Sequence, residues 1–210
     1  QKQKSHLFLS PEEAITVRTY NREKAVRDSV WRPASTRVWK QELTRLIDTS
    51  PKGYILDVAC GPGKNYADLA SLKHLYIGVD ISERMVHQAK TNAPAATFFL
   101  MNMYALGFQN RAFSCFWAPT CLFHVPKRPI RNVLRELRRV TAPEGIGFIT
   151  MHERTLPGGE RLIDAGGGPK FFSFYGLEEF ASILEDAGFT VLESYRDDHN
   201  YQPPHDYTIW

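Results

Sequence analysis

The chain has 210 residues, of which 43% are hydrophobic and 23% are charged, and its net charge is +3. The length and composition are typical of a globular protein with a sizeable core, so we expect residues 1–210 to form a single domain. Nucleic-acid-binding domains usually carry a concentrated basic patch, and a charge this small argues against such a partner.

The cysteines and the lengths of the apolar runs indicate the cellular compartment. Cys60, Cys115 and Cys121 form no disulfide framework, and an odd count favours a reducing environment. No apolar run approaches the roughly 20 residues needed to span a bilayer, and the first residues lack the apolar segment of a signal peptide. Cys115 and Cys121 have no histidines at zinc-site spacing. We therefore expect a cytoplasmic protein with no membrane partner and no bound metal.

The first 50 residues are predicted to form a helical cap. Ser10, Pro11 and Glu13 have the pattern of a helix start, in which the serine caps, the proline takes the first helical position and the glutamate closes a capping box. This helix should run from about residue 11 into the twenties. A second helix is predicted over residues 35–48, where apolar residues recur on one face.

Strands and helices alternate through the predicted core, residues 51–210. The predicted strands are 53–59, 74–80, 96–103, 113–119, 146–152, 189–196 and 206–210. Between them we predict helices over 63–72, 82–92, 128–141 and 176–187, and a long glycine-rich loop over 153–175. Such alternation is typical of a parallel sheet with helices on both faces, and the last connection is too short for a crossover helix. The sequence predicts an α/β fold: a doubly wound seven-stranded sheet, mostly parallel with a C-terminal antiparallel hairpin.

The segment from Asp57 to Gly63 carries the strongest functional signal. An apolar strand ends there in an acid and is followed by a glycine turn and a helix, and the next strand also ends in an acid, Asp80. A glycine turn lets the backbone approach a ligand, and a helix N-terminus offers free N–H donors. Tyr66 replaces the third glycine of a dinucleotide-binding motif, and Asp57 would repel a pyrophosphate. The pattern favours a nucleoside ligand that carries an amino group.

These residues resemble a known family. Asp57-Val-Ala-Cys-Gly61-Pro-Gly63, with Gly78-Val-Asp80-Ile-Ser after it, is similar to the first two motifs of the class I S-adenosylmethionine-dependent methyltransferases. The resemblance continues along nearly the whole chain, in Met101-Asn102-Met103, Leu122-Phe-His124-Val-Pro126, Arg139 to Gly145 and Phe172 to Tyr175. It implies a Rossmann-like fold, S-adenosylmethionine as cofactor, S-adenosylhomocysteine as product, and a small-molecule methyl acceptor.

The resemblance also implies which residues contact the cofactor. Asp80 should accept hydrogen bonds from both ribose hydroxyls, because an ionised carboxylate offers paired acceptors. Asp57 should lie near the ammonium group, and Asn102 takes the place of the family's usual acid opposite the adenine amino group. The implied cofactor-binding residues are Tyr20, Asp57, Ala59, Cys60, Gly61, Gly63, Asp80, Ile81, Asn102, Met103 and Ala118. Tyr20 would place its ring over the sulfonium cation, with packing in the helical cap as the alternative.

Catalysis asks little of the protein under this interpretation. In-line transfer from a sulfonium needs chiefly alignment and exclusion of water, and a base only where the nucleophile arrives protonated. His124, after the fourth strand, is the first candidate for that base, and His152, at the end of the fifth, is the second. A structural role is the alternative for each. Loop 153–175 is long enough to cover the acceptor pocket.

Other functions stay open on the sequence. An RNA methyltransferase would use the arginines of helix 128–141, which we otherwise expect to be its solvated face. A nicotinamide oxidoreductase is disfavoured by Tyr66 and Asp57, and a non-catalytic cofactor-binding scaffold is kept open by Asn102. The sequence lacks the Asn/Asp-Pro-Pro-Tyr/Phe motif of many amino-group nucleic-acid methylases, which favours a small-molecule acceptor. The oligomeric state is left open.

Overall fold

The computed structural model describes residues 9–31, 35–70, 74–153, 159–164, 167–197 and 206–209. The helices are α1 (Pro11–Tyr20), α2 (Glu23–Trp31), α3 (Ser35–Val38), α4 (Lys40–Thr49), α5 (Tyr66–Ala70), α6 (Glu83–Asn92), α7 (Ile130–Val140) and α8 (Leu177–Asp186), with a short 3-10 helix over Leu122–His124. The strands are β1 (Tyr54–Val58), β2 (Leu75–Asp80), β3 (Thr97–Leu100), β4 (Phe113–Ala118), β5 (Thr141–Glu153), β6 (Glu160–Asp164), β7 (Pro169–Ser173), β8 (Tyr195–Asp197) and β9 (Asp206–Ile209).

The main sheet has the predicted α/β order. Among the described residues, five strands run parallel in the order β3-β2-β1-β4-β5, and the antiparallel hairpin of β9 and β8 continues from β5. β4 pairs with β5 only as far as Ile149, whereas β9 pairs with Thr150 to Glu153. The hairpin is therefore attached to the carboxyl-terminal overhang of β5. The expectation of one seven-stranded sheet is met in part, as five parallel strands plus an antiparallel hairpin.

The predicted loop over residues 153–175 is wrong for its described part. β6 and β7 pair there as a two-stranded antiparallel sheet, with Leu162 opposite Phe171. The glycines around these strands hid the signal, because each strand is only five residues long and the apolar alternation is short. Residues 154–158 and 165–166 of this predicted loop lie outside the described residues.

Several predicted boundaries also move. The first helix ends at Tyr20, and α2 begins two residues past Asn21, whose backbone N–H closes α1 by donating to the carbonyls of Val17 and Thr19. The second predicted helix is divided at Trp39, which leaves helical geometry (φ −110°, ψ 52°) while its ring is buried. The predicted strand over 189–196 shortens to Tyr195–Asp197. The fifth strand instead begins earlier, because Thr141 already pairs with Phe113 before the register shifts.

Apolar side chains cover both faces of the sheet, as a doubly wound fold requires. One layer packs α7 and α8 against β4 and β5, and the apolar residues of α7 are fully buried: Ile130, Val133, Leu134, Leu137 and Val140. The other layer packs α4 and α6 against the opposite face, where Trp117 stacks on Phe148 with ring centres 4.4 Å apart. All six residues of β4 are buried, which identifies it as the centre of the sheet.

Arg139 of α7 departs from the predicted solvated face. Arg139 donates hydrogen bonds to the carbonyls of Leu106 (2.8 Å) and Phe108 (2.9 Å) and pairs with Glu136 (2.7 Å). Glu136 in turn accepts from the backbone N–H of Leu106 at 2.6 Å. The pair therefore holds the loop that leads from β3 to β4. A planar guanidinium is suited to this, because its donors diverge in fixed directions.

We expect Arg139→Lys to lower the free energy of unfolding by about 1–3 kcal/mol, because one ammonium cannot reach both carbonyls and the carboxylate. Urea denaturation followed by circular dichroism measures this change. Arg135→Lys on the same helix is the matched control, since Arg135 is exposed and makes one side-chain hydrogen bond, to Asn132. Equal effects of the two substitutions would contradict the role given to Arg139.

Candidate active site

The candidate site lies at the carboxyl ends of the parallel strands, between β1 and β4. The strand order reverses at this point, and open α/β sheets bind ligands in the crevice that forms there. Ala59 after β1 and Thr120 after β4 both have a left-handed backbone (φ 53° for each). Such a conformation costs a non-glycine residue about 1–2 kcal/mol and is concentrated at functional sites. The segments that follow β1 and β4 therefore both turn sharply away from the sheet at the same edge.

The two glycines after β1 have different roles. Gly63 (φ +75°) is required by packing, since a Cβ there would lie 2.9 Å from the ring of Phe98 and 3.1 Å from the Cβ of Ala89. Gly61 (φ +54°) is required by its backbone angle alone, because a Cβ there would meet no heavy atom within 4 Å. The space in front of Gly61 is therefore open, and a ligand can approach its backbone.

Asp80 joins the turns that follow β1 and β2. Its Oδ2 atom accepts from the backbone N–H of Gly61 (2.9 Å), and its Oδ1 atom accepts from that of Ser82 (2.8 Å). Each oxygen retains a further lone pair for a ligand. Burial raises the pKa of this carboxyl to about 6, against the opposing effect of the backbone N–H groups of Ser82, Gly61 and Ile81. Asp80 is therefore a fixed, paired acceptor at the edge of the open space.

Asp57 is more deeply enclosed than the resemblance implies. Its Oδ2 atom accepts from the hydroxyl of Tyr76 (2.8 Å) and from the side-chain amide of Asn65 (3.4 Å). Burial, with a smaller contribution from the charge of Asp80, raises its pKa to about 7 against the opposing effect of these two hydrogen bonds. Both hydrogen bonds arrive at Oδ2, so the second carboxylate oxygen keeps its acceptor capacity.

The other implied cofactor residues gather at the same edge. The residue after β3, Met101, donates its backbone N–H to the carbonyl of Asp80 (2.9 Å), which brings the end of β3 beside the end of β2. Asn102 follows; it is buried, and its Oδ1 atom accepts from the backbone N–H of Tyr104 (3.0 Å). Of the remainder, Cys60 and Ala118 are buried, whereas Ala59, Ile81 and Met103 are half-buried.

The structure brings Tyr20 to His124, 104 residues away in the chain. His124 Nδ1 lies 2.6 Å from the carbonyl oxygen of Phe171, which only accepts, so Nδ1 carries the proton. The Tyr20 hydroxyl, 2.9 Å from Nε2, then donates to the ring's lone pair. Burial lowers the pKa of His124 to about 4, and the charge of Lys170 contributes to this. The imidazole is therefore neutral near pH 7, and both nitrogens are engaged.

His152 lies in the same aromatic cluster. Its ring centre is 4.0 Å from that of Phe123 and 5.6 Å from that of Phe172. The same two phenylalanines contact His124, with ring centres 4.7 and 4.8 Å away. The two histidines that the sequence offered as bases thus contact the same pair of aromatic rings.

The cap helix α1 closes over this cluster through β7. Thr19 donates its hydroxyl to the carbonyl of Pro169 (2.6 Å), and Thr16 accepts from the backbone N–H of Phe171 (2.8 Å). These hydroxyls occupy backbone groups on the edge of β7 that β6 leaves unpaired. The N-terminal helix and the β6–β7 hairpin therefore form one wall above the strand ends.

Two functional candidates were missed in the sequence. Lys170 is 6% exposed, and its Nζ atom lies 4.7 Å from the ring centre of Tyr20. Its signal was the alternation of Lys170, Phe172 and Phe174, which the predicted loop concealed. Asn21 accepts from the hydroxyl of Ser82 (2.9 Å), and so links the cap to the start of α6. No local pattern could have shown that contact between distant residues.

Among the residues that the structure describes, no helix is both long and apolar enough to cross a bilayer. The same residues contain no group of three or more histidine, cysteine, aspartate or glutamate side chains arranged to hold a metal ion.

Comparisons with known proteins agree with the geometry. Residues 55–145 match a family model described as a methyltransferase domain. A malonyl-(acyl-carrier protein) O-methyltransferase of Erwinia pyrifoliae is 32% identical over 103 residues, which are 49% of this chain and 38% of that protein. An uncharacterized methyltransferase of Synechocystis sp. is 26% identical over 158 residues, covering 70% of this chain and 71% of that one. The chain spans only 33% and 38% of the length of two curated relatives that are 32% identical to it.

The solved structures identify the fold. A 1,6-didemethyltoxoflavin-N1-methyltransferase of Burkholderia thailandensis, solved with 1,6-didemethyltoxoflavin and S-adenosylhomocysteine bound, superposes with a TM-score of 0.74 at 21% identity. The superposition covers 96% of this chain and 88% of that one. Residues 55–145 thus resemble a methyltransferase domain, and the chain has the Rossmann-like α/β fold of the S-adenosylmethionine-dependent methyltransferases to which it is similar.

Proposed function

We propose that this protein is an enzyme that binds S-adenosylmethionine and transfers its methyl group to a small-molecule acceptor. One observation carries the proposal: Asp80, at the end of β2, is held by the backbone of Gly61 in the turn after β1, and the space in front of Gly61 is open. A vicinal diol needs two acceptors at a fixed separation beside a backbone that a ligand can approach. Asp80 and Gly61 supply both.

The donor set at the strand ends fits this cofactor. The free lone pairs of the Asp80 carboxylate suit the two ribose hydroxyls, and Asp57 provides negative charge deeper in the turn for an ammonium group. Asn102 and Met103, after β3, suit the adenine ring, and half-buried Ile81 offers an apolar surface for its face. We propose Ala59, Cys60, Gly61 and Gly63 as the backbone that lines the methionine portion, with Ala118 closing the far side.

The chemistry follows from charge and alignment. When bound, the cofactor supplies a sulfonium whose methyl group is already activated, so the protein must position the acceptor and exclude water. Tyr20 lies on the wall above the strand ends, and its ring can face the cation. Because both nitrogens of His124 are engaged, we propose that His124 positions Tyr20 and is not a general base. His152 stays a candidate for that role.

The small-molecule acceptor is supported by two relatives, one named for a malonyl group on a carrier protein and one for trans-aconitate. The polar contacts between α1 and β7 support a single domain with residues 1–50 as its cap and 51–210 as its cofactor-binding core. A cytoplasmic location is proposed on the three buried, unpaired cysteines. The direct test is calorimetric titration with S-adenosylmethionine, followed by transfer of a labelled methyl group to fractionated metabolites. Absence of binding would end the proposal.

We expect Asp80→Ala to weaken S-adenosylhomocysteine binding at least about tenfold, because the ribose hydroxyls lose their charged acceptor. The substitution also frees the N–H groups of Gly61 and Ser82, so the melting temperature is measured beside the affinity. Asp186→Ala is the control, since that exposed acid pairs with Arg131 at 3.2 Å on the surface. Unchanged affinity in a folded Asp80→Ala protein would refute the ribose assignment.

The pKa of Asp80, about 6, predicts a pH dependence of binding. A diol binds the ionised carboxylate, so the affinity for S-adenosylhomocysteine should be about tenfold weaker at pH 5 than at pH 7. Titration near pH 6 in two buffers of different ionisation enthalpy should detect the protons released on binding.

As the pH rises, the stability of the ligand-free protein should fall, whereas the affinity for S-adenosylhomocysteine should increase. The folded-state pKa values of Asp57 and Asp80 lie above the ordinary value of 3.8, so the folded chain binds more protons between about pH 4 and 7. The contribution of these two groups to the free energy of unfolding therefore falls as pH rises through that window. An affinity that follows the ligand-free stability, or does not vary with pH, would contradict the assignment.

A further inference from the structure

We infer that Asn21, at the end of α1, is a positioning residue for the cofactor: it holds Ser82, and Ser82 orients the carboxylate of Asp80. This inference rests on the cofactor binding proposed above and extends that site into the N-terminal cap. Asn21 lies outside the motifs that carry the resemblance, and its contact with Ser82 joins residues that are 61 positions apart in the chain.

Two donors at the start of α6 converge on one atom of Asn21. Its Oδ1 atom lies 2.9 Å from the hydroxyl oxygen of Ser82 and 3.3 Å from the backbone nitrogen of Arg84. A backbone N–H can only donate, so the atom that it meets is the amide oxygen. The first N–H groups of a helix have no partner within the helix. Asn21 therefore caps the start of α6 from a different element of the fold.

The contact with Asn21 also fixes the hydroxyl of Ser82. Ser82 is fully buried, and as the N-cap residue of α6 its Oγ atom accepts from the backbone N–H of Met85 at 3.2 Å. A hydroxyl has one proton to donate. Because that proton goes to Asn21, the lone pairs of Oγ are left for Met85. Both halves of the hydroxyl are therefore engaged, and Ser82 is held at the start of the helix.

Ser82 in turn orients Asp80. The backbone N–H of Ser82 donates to Asp80 Oδ1 at 2.8 Å, and that of Gly61 donates to Oδ2 at 2.9 Å. These two hydrogen bonds set the plane of the carboxylate that we propose as the ribose acceptor. An acceptor that is already oriented binds more tightly, because binding does not have to order it. Loss of the contact that holds Ser82 should therefore weaken cofactor binding.

The residue before Asn21 makes a corresponding contact on the other side of the crevice. The hydroxyl of Tyr20 lies 2.9 Å from His124 Nε2, after β4, whereas Asn21 contacts Ser82, after β2. β1 lies between β2 and β4 in the sheet, and the open space at Gly61 follows β1. The end of α1 is therefore attached on both sides of the space that the proposed cofactor fills.

The experiment measures S-adenosylhomocysteine binding to the full chain and to variants of Asn21 by calorimetric titration. Asn21→Ala removes the acceptor and should weaken binding about 3- to 10-fold, as expected for the loss of one hydrogen bond in an ordered site. Asn21→Gln displaces the oxygen by one methylene group and should lose a similar factor. Asn21→Asp keeps an oxygen at the same reach, beside a helix N-terminus that favours negative charge, so its affinity should stay within about twofold of the wild type.

A double-mutant cycle tests whether Asn21 acts through Ser82. In a Ser82→Ala background, which has lost the donated hydroxyl, Asn21→Ala should weaken binding by less than about twofold. Amide hydrogen exchange gives a second measurement, because coupling between two contacts is reciprocal. Bound S-adenosylhomocysteine should slow exchange in residues 11–21 of the wild type, and should slow it less in Asn21→Ala at equal saturation.

Thr19→Val is the matched comparison for loosening of the cap. Thr19 also belongs to α1, but its hydroxyl donates to the carbonyl of Pro169 in β7, at 2.6 Å. This variant should lower the melting temperature of the ligand-free protein and weaken binding by less than Asn21→Ala does. A purely structural role for Asn21 would give the two variants the same ratio of lost affinity to lost stability.

The outcomes separate this inference from the proposed function. Failure of the wild-type chain to bind S-adenosylhomocysteine contradicts the methyltransferase proposal. Given that binding, the inference is overturned by unchanged affinity in Asn21→Ala, by an equal loss in Asn21→Asp, or by full additivity with Ser82→Ala. Should Asn21→Ala fail to fold, Asn21→Gln takes its place in each comparison with Asn21→Asp.

Discussion

The carboxylate of Asp80 holds together two turns that the backbone alone would leave separate. One of its oxygens accepts from Gly61 after β1 and the other from Ser82 after β2. Each N–H is an orphan donor of a strand-to-helix turn, and leaving it unpaired in a buried place would cost about 1–3 kcal/mol. The acid therefore stabilises the turns and orients its remaining lone pairs toward the crevice. One residue thus combines a structural and a binding role, and its raised pKa is the cost of that burial.

The wall formed by the N-terminal helix and the β6–β7 hairpin is also held by hydrogen bonds to backbone groups that would otherwise be unpaired. β7 pairs with β6 on one edge, and on the other edge the backbone of Phe171 is satisfied by Thr16 and His124. A short exposed strand edge is a liability, and a helix that supplies hydroxyls is one way to cover it. Phe171, whose N–H docks α1 through Thr16, also fixes the tautomer of His124 through its carbonyl. The packing of the cap and the tautomer of His124 therefore depend on the same backbone segment of β7.

Sequence patterns located most of the strand-end residues, because the chemistry there is local. The two acids each end an apolar strand, and glycines lie between them. The pattern therefore falls within a short segment and can be recognised from the alternation of strand and helix. The capping box of Ser10 and Glu13 is confirmed for the same reason, since its two hydrogen bonds span three residues. The hairpin of β6 and β7 was missed because two five-residue strands among glycines leave too short an apolar period to read.

The sequence by itself determined the order of the strands in the main sheet and of the helices between them, the acids at the ends of β1 and β2, and the glycine turn between them. Each of these is set by neighbours in the chain, through backbone sterics and apolar periodicity. Only the tertiary structure decided that Tyr20 donates to His124, that Lys170 lies against the Tyr20 ring, and that Asn21 reaches Ser82. These partners are 61 to 150 residues apart, and they meet because the cap helix packs on a hairpin formed late in the chain. No local preference encodes such a meeting, so the pocket's charge and tautomer emerge only from the folded arrangement.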